Sequence, residues 1–263
     1  MTPNNGYAAR RLERYLAWQE LPEVDFADGG DLVEVGRRAF TAYPAQTIGR
    51  ATFTCATCHT DRGIAGLGAR VDIGKIVADE TNDRSPALLA WGPGRADVAT
   101  LAGDEPIRFP DLRATRFQTH LQVDAAVEQR DIVSLALRIE TLLITASGEV
   151  NRPSHRVAMG LAQYLWSLAP APPSPPATDA ERRGEAEFSR RCIHCHAPPT
   201  YAGPPVPLAA VGIDAVGLSA ERGTGTWRVP SLRGVGDRTM LFHDGKGSLE
   251  QFDPDLVAFL KTL

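Results

Sequence analysis

The chain carries one five-residue pattern twice: Cys-Ala-Thr-Cys-His at residues 55–59 and Cys-Ile-His-Cys-His at residues 192–196. The two copies contain all four cysteines of the 263-residue chain. In C-x-x-C-H the thiols lie one helical turn apart, so both can add to the vinyl groups of one haem while the next imidazole binds its iron. The pattern therefore predicts two covalently bound haem c groups. The predicted attachment residues and proximal ligands are Cys55, Cys58, His59, Cys192, Cys195 and His196.

Two other uses of paired cysteines fit the sequence less well. A structural zinc site needs four ligands in a compact set, and C-x-x-C pairs in zinc ribbons usually lie roughly 15 to 20 residues apart. Here 134 positions separate Cys58 from Cys192, and a histidine follows each pair. A redox-active dithiol of the thioredoxin type requires a βαβ pattern, which the sequence does not contain.

Composition is that of a globular chain, with 43% hydrophobic and 23% charged residues. A formal net charge of −4 gives none of the basic excess that nucleic-acid binding requires, so no nucleic-acid partner is predicted. No run of 18 apolar residues occurs, so no membrane span is predicted. The most apolar stretch, residues 131–146, predicts a helix buried in the core.

A proline-rich stretch separates the two motifs. Residues 169–177 contain five prolines, which cannot continue a helix and favour an extended spacer. We predict a first domain over residues 1–169, with an N-terminal helical extension, then a Pro-rich linker over 170–177 and a second domain over 178–263.

The two halves have the order of an internal repeat. Gly-x-x-x-Phe occurs before each motif, at Gly36 and at Gly184, and each half ends in a helical stretch rich in leucine and aromatic residues. In this register Tyr164 matches Phe259. Because glycine allows a close helix approach, we predict that the Gly-x-x-x-Phe helix of each half crosses the terminal helix of the same half.

This order of elements resembles class I cytochrome c domains. Residues 227–234 (Trp-Arg-Val-Pro-Ser-Leu-Arg-Gly), 241–245 (Leu-Phe-His-Asp-Gly) and 248–250 (Ser-Leu-Glu) resemble the bacterial dihaem cytochrome c peroxidase superfamily. That superfamily includes the dihaem enzyme that matures methylamine dehydrogenase. The resemblance implies an all-α fold of two tandem cytochrome c-like domains, each wrapping one covalent haem, with long Gly/Pro-rich loops. Detailed agreement is confined to residues 178–263.

The repeat also indicates distal iron ligands. Phe-Pro-Asp-Leu-Arg-Ala-Thr at residues 109–115 matches Val-Pro-Ser-Leu-Arg-Gly-Val at residues 229–235, and His120 and Met240 each follow ten residues after the shared proline. Both residue types bind haem iron. We predict His59/His120 ligation of the first iron and His196/Met240 ligation of the second. The alternatives are His155 for the first and His243 for the second.

These positions depart from the superfamily's pattern. Its second distal ligand lies about fourteen residues after the histidine of the His-Asp-Gly motif, a place that Val257 occupies here. Its early distal histidine has no counterpart, since no histidine occurs between His59 and His120. The repeat also contains the matching arginines Arg113 and Arg233, which we predict to face haem propionates or the domain interface.

Unequal ligands predict unequal potentials, because a thioether raises the potential of a haem relative to a second imidazole. The favoured function is a carrier of single electrons between redox partners, such as another cytochrome, a cupredoxin or a respiratory complex. The alternative is a peroxidase-type enzyme that reduces hydrogen peroxide, or oxidises a protein, at the first haem. Such an enzyme needs an acid/base group, and the corresponding segment, residues 152–159, contains no carboxylate.

Covalent haem attachment takes place outside the bacterial cytoplasm, so we expect a periplasmic location. The first 30 residues contain no apolar signal region. We therefore expect an export signal or membrane anchor that this sequence does not contain.

Overall fold

The structure is a computed structural model and describes residues 5–25, 30–48, 51–60, 72–76, 89–96, 107–210, 225–242 and 245–263. Helices are its main elements. In chain order they are α1 (Asn5–Trp18), α2 (Leu32–Ala42), α3 (Cys55–Cys58), α4 (Ile73–Ile76), α5 (Ile132–Ala146), α6 (His155–Ser167), α7 (Asp179–Arg191) and α8 (Pro254–Leu260). Short 3-10 helices span Arg113–Phe117, Leu208–Ala210, Val235–Asp237 and Leu249–Gln251.

Short strand pairs accompany these helices, which an all-α prediction did not include. The strands are β1 (Glu23–Val24), β2 (Gln46–Ile48), β3 (Ala51–Phe53), β4 (Arg95–Ala96), β5 (Ile107–Arg108), β6 (His120–Leu121), β7 (Val127–Glu128), β8 (Arg152–Pro153), β9 (Gly203–Pro207) and β10 (Thr226–Val229). β1 pairs with β8 in parallel, and β2–β3, β4–β5, β6–β7 and β9–β10 pair antiparallel. These ladders of two to five residues stabilise loops and build no larger sheet.

In each half, the helix that carries the Gly-x-x-x-Phe spacing crosses the last helix at its glycine, as the repeated spacing predicted. A Cβ on Gly36 of α2 would lie 1.9 Å from the Gly160 carbonyl oxygen of α6. In the second half, a Cβ on Gly184 of α7 would lie 2.0 Å from the Asp255 carbonyl oxygen of α8. The two backbones therefore touch at each crossing, because glycine has no side chain to separate them.

Aromatic rings pack beside both crossings. The ring centroids of Phe40 and Tyr164 are 5.3 Å apart in the first half, and those of Phe188 and Phe259 are 5.2 Å apart in the second. These are ordinary distances for tilted aromatic pairs. Tyr164 and Phe259 therefore occupy equivalent places, as their register in the sequence predicted.

Side-chain caps fix where the crossing helices begin. Asp31, Ser154, Thr178 and Asp253 precede α2, α6, α7 and α8, and each accepts a hydrogen bond from a backbone N–H of the first turn. Such a cap satisfies a donor that the helix itself leaves without a partner. The helix start in turn sets which residue reaches the crossing point.

The apolar helix α5 is only partly buried, which corrects the prediction that the whole stretch lies in the core. Val133 is 49% exposed and Leu137 is 45% exposed, one turn apart on the same face. The buried side chains of α5 include Leu135, Ile139 and Leu143. Glu140 is also buried, at 2% exposure, although it lies close to the exposed side of the helix. Tyr15 of α1 and Gln19, which follows α1, donate hydrogen bonds to the Glu140 carboxylate, at 3.3 and 3.2 Å.

The buried apolar residues form two clusters. One contains residues between Ala39 and Leu165, and the other contains residues between Phe188 and Leu263. Each cluster surrounds one of the helix crossings. Among the helices that the structure describes, none is both long and apolar enough to cross a membrane.

Candidate functional site

The first Cys-x-x-Cys-His motif forms a single helical turn. α3 spans its two cysteines, and the His59 N–H donates to the Cys55 carbonyl at 2.9 Å. Both thiols therefore project from one turn, as predicted. Cys55 and Cys58 are partly buried. Desolvation raises the pKa of each thiol to about 12. Both cysteines are free thiols in the structure.

The second motif has the same backbone hydrogen bond. It follows the end of α7, where the His196 N–H donates to the Cys192 carbonyl at 2.9 Å. Cys192 and Cys195 are also free thiols. His194, inside the motif, is exposed. This position agrees with its exclusion as an iron ligand.

Each motif imidazole lies beside the backbone of the repeated proline segment in its own half. The carbonyl of Pro110 lies near His59, and the carbonyl of Pro230 lies near His196, where each partly offsets the effect of burial on the imidazole pKa. His196 Nδ1 also lies 3.1 Å from the Tyr201 carbonyl oxygen. A neutral imidazole that donates from one nitrogen presents a lone pair on the other, which is the arrangement that a metal-binding histidine needs.

Burial favours the neutral form of both imidazoles. Desolvation lowers the pKa of His59 to about 4 and lowers the pKa of His196 in the same direction. Only the neutral form can donate its lone pair to iron. In the sequence the prolines served only to align the two repeats, and their position beside the imidazoles was missed. Their identical placement in both repeats was the available signal.

The geometry gives no support to a zinc site. Within the described ranges, no three His, Cys, Asp or Glu side chains lie close enough together to hold a metal ion. The cysteine pairs of the two motifs are thus not brought into one four-ligand set.

His120 and Met240 occupy the same position in two matching turns. Each turn is closed by a backbone pairing, Leu121 with Val127 in the first half and Leu241 with Gly247 in the second. In each turn the next residue has left-handed backbone: φ is 66° at Gln122 and 60° at Phe242. Left-handed backbone is uncommon outside glycine, so its presence at equivalent positions marks a common turn. The structural equivalence of the two residues is therefore clear, while their binding to iron stays a prediction.

The side chains at these two positions have different neighbours. His120 Nδ1 lies 3.2 Å from the Thr119 hydroxyl, which donates to the Gly203 carbonyl of the second half at 2.6 Å. The Met240 thioether folds against Gly245, since a Cβ there would lie 2.4 Å from Met240 Cε. Both side chains are half-buried.

Of the two alternative iron ligands, His155 and His243, the structure describes only His155. His155 begins α6 with a side chain 68% exposed, and its Nε2 lies 3.2 Å from Gln19 Oε1 and 3.5 Å from Glu140 Oε1. Its imidazole thus contacts α5 and the residue that directly follows α1. His243 lies outside the described residues.

Arg113 and Arg233 lie at the contact between the halves, one of the two places predicted for them. Arg113 bridges Asp111 of its own half, at 3.0 Å, and Asp237 of the other, at 2.8 Å. The Arg233 guanidinium carbon lies 4.4 Å from the centroid of the Phe117 ring. Positions 113 and 233 are equivalent in the repeat, and so are positions 117 and 237. The arginine of each half therefore contacts the residue at the equivalent position of the other half.

Further hydrogen bonds join the halves along the same segments. They are Arg238 Nε to Asp111 Oδ2 at 3.4 Å, the Ser231 N–H to Gln118 Oε1 at 3.0 Å, the Arg228 N–H to the Val123 carbonyl at 2.9 Å and Arg108 Nε to the Phe242 carbonyl at 2.5 Å. The segments that carry the predicted distal ligands are thus held by the opposite half.

Comparisons with known proteins give the fold. No protein-family model matches the chain, and no curated protein matches it in sequence. Among solved structures, it is similar to a chain of Kuenenia stuttgartiensis hydrazine synthase pressurised with 20 bar xenon, with a TM-score of 0.54, 15% identity and coverage of 95% of this chain and 92% of that one. It is also similar to a MauG-like protein associated with microbial copper homeostasis, with a TM-score of 0.56, 16% identity and coverage of 92% of both chains. The chain therefore has the fold of these two proteins over nearly its whole length.

Proposed function

We propose that the chain is a dihaem c-type cytochrome that passes single electrons between redox partners. The observation that carries the proposal is the duplicated site, in which a Cys-x-x-Cys-His turn and the carbonyl of a repeated proline meet in each half. The fold shared with a MauG-like protein agrees with the superfamily resemblance found in the sequence.

The donor set fits haem c in both halves. Each half offers two free thiols on one turn and a neutral imidazole that is already oriented by backbone. Cys55 and Cys58 would hold one group and Cys192 and Cys195 the other, through thioether bonds. When bound, haem iron supplies a one-electron redox couple whose potential depends on its axial ligands.

The protein's part in this function is to hold the ligands and set the two potentials. His59 and His120 would give the first site a lower potential, and His196 and Met240 would give the second a higher one. The His59 ring lies between the rings of Phe40 and Phe109, with centroid distances of 6.5 and 6.3 Å, and near the Pro110 carbonyl. Contacts between the halves hold the two sites together. Electrons would pass from the first site to the second, because the second has the higher potential.

A spectrum of the oxidised protein tests the carrier against the peroxidase alternative. A carrier with six-coordinate irons is expected to show no high-spin band, and its half-reduced form is expected to be unchanged by hydrogen peroxide. Rapid peroxide turnover by the half-reduced protein would contradict the carrier and favour the enzyme.

Replacing the predicted distal ligands is expected to change one haem at a time. Met240→Leu keeps the side-chain volume but removes the thioether, so the potential of the second haem is expected to fall by on the order of 100 mV, within the ~0.8 V range that axial ligands cover. His120→Ala is expected to give the first haem a high-spin band. Spectroelectrochemical titration measures both effects.

Two residues serve as matched controls. Met159 is the other internal methionine and packs at the edge of the first core cluster, so Met159→Leu is expected to leave both potentials unchanged. His155→Ala removes an exposed imidazole that lies beside Gln19, and the spectrum is expected to stay that of the parent protein. Equal spectral changes in His155→Ala and His120→Ala would contradict the assignment of His120.

The proposal includes a periplasmic location and protein redox partners. Both follow from covalent haem attachment and from the carrier function, and neither involves a membrane span in the described part of the chain.

A further inference from the structure

Two arginines stand at equivalent positions beside the two candidate sites. Arg108 and Arg228 each lie two residues before the proline whose carbonyl contacts the motif imidazole. Each is also fixed by the opposite half: Arg108 Nε donates to the Phe242 carbonyl at 2.5 Å, and the Arg228 N–H donates to the Val123 carbonyl at 2.9 Å. Both arginines therefore lie between the halves, next to the segments that hold the predicted iron ligands.

Three arginines of the described structure act on one another in this region. Arg108, Arg228 and Arg238 lie close enough to repel one another, and desolvation followed by this repulsion lowers the pKa of Arg108 and of Arg228 to about 10. Asp111 is the nearby carboxylate for Arg238, but it also pairs with Arg113 at 3.0 Å. Asp124 is the carboxylate whose charge acts on Arg228.

The guanidinium groups of the pair have unused donors. In the part of the chain that the structure describes, the Arg228 guanidinium makes no hydrogen bond or ion pair, and Arg108 uses only Nε. Both side chains are packed deep between the halves yet keep some accessible surface, as groups that line a cleft do. An arginine carries five N–H donors, so most donors of this pair are open to a ligand that enters the cleft.

A carboxylate is the ligand that suits these donors. The planar guanidinium fork matches a carboxylate with two parallel hydrogen bonds, and an anion would offset the repulsion between the arginines. We propose that Arg108 and Arg228 form a carboxylate-binding site between the halves that holds haem propionates. This inference rests on the proposed function, since the carboxylates belong to the proposed cofactors; a free anion is the other source of the same chemistry.

Variants of the haem-loaded protein test the proposal. In Arg108→Gln and Arg228→Gln both haems are expected to stay covalently attached, because the cysteines are unchanged. At least one haem is expected to become harder to reduce, since a nearby cation that favours the reduced form is lost. The expected change in the reduction equilibrium is on the order of tenfold, which is about 59 mV for one electron.

Three comparisons make the result specific. Arg228→Lys keeps the charge without the fork and is expected to restore part of the potential. Arg190→Gln removes an exposed arginine of α7 that pairs with Glu187, and it is expected to leave both potentials unchanged. A titration with inorganic phosphate separates the two anion sources, because potentials set by propionates are expected to be independent of phosphate concentration.

Each opposing result has a defined meaning. Haem-loaded Arg108→Gln and Arg228→Gln proteins with parental potentials would overturn the propionate site alone and leave the cytochrome proposal standing. A phosphate-dependent potential that is lost in the Arg228→Gln variant would show that the site binds free anions, and would overturn the propionate assignment. Protein matured without any covalent haem would overturn both proposals.

Discussion

Replacing both cysteines of one motif with alanine is expected to remove one of two haems and to leave the other in place. In the Cys192→Ala/Cys195→Ala protein the haem content is expected to fall by half, because no thiol remains to form a thioether in the second half. The first core cluster contains only residues between Ala39 and Leu165, so the first half is expected to keep its packing. Mass spectrometry of the denatured protein counts the porphyrins that stay attached.

The mirror variant identifies which haem has which potential. Cys55→Ala/Cys58→Ala is expected to retain the higher-potential haem, with Met240 as its predicted ligand, whereas the second-motif variant is expected to retain the lower-potential one. His194→Ala is the matched control, since this exposed residue lies inside the second motif and is not a predicted ligand. Unchanged porphyrin mass in either double-cysteine variant would contradict covalent attachment at that motif.

Local sequence patterns were sufficient for the features that depend on short spacing. The C-x-x-C-H motif dictates its own turn, since its hydrogen bond runs from the histidine to the first cysteine within five residues. The Gly-x-x-x-aromatic spacing places Gly36 and Phe40 on one side of α2, so both reach α6. A helix period of 3.6 residues is enough to predict such a contact.

The matching turns around His120 and Met240 show how far the repeat could be followed. The sequence matched residues 109–115 with residues 229–235, and the structure continues the match through the left-handed residues Gln122 and Phe242. Neither of these is a glycine, so residue type gave no sign of the turn. Backbone conformation here is imposed by the pairing of neighbouring residues and by contact with the opposite half.

Features that depend on distant packing were not predictable from one sequence. Arg108 and Arg228 lie 120 positions apart in the chain and come together only because the halves meet along their repeated segments. The buried Glu140 illustrates the same limit, since its partners Tyr15 and Gln19 lie more than 120 positions away in the chain, in and just after the N-terminal helix. Val133 and Leu137 were assigned to the core from hydrophobicity alone, which does not reveal whether a second element covers that face.

Gly36→Ala is expected to be the most destabilising single-methyl change in the first half. The new Cβ would lie 1.9 Å from the Gly160 carbonyl oxygen and 2.3 Å from its carbon, both of which are backbone atoms. A flexible side chain could turn aside, but backbone can yield only if α2 and α6 move apart. Overpacking of this kind costs at least about 3 kcal/mol of unfolding free energy, at the upper end of measured values.

The second half offers an independent repetition of the experiment. Gly184→Ala would place a Cβ 2.0 Å from the Asp255 carbonyl oxygen, so a loss of similar size is expected there. Gly30→Ala is the control, since nothing lies within 4 Å of its Cβ position and its φ is not in the left-handed region. Guanidinium unfolding of the haem-loaded proteins, followed by far-ultraviolet circular dichroism, measures the three midpoints. If Gly36→Ala and Gly30→Ala unfolded at the same concentration, the backbones of α2 and α6 could not be in contact, and the crossing that places Cys55 and His59 beside α2 would have to be redrawn.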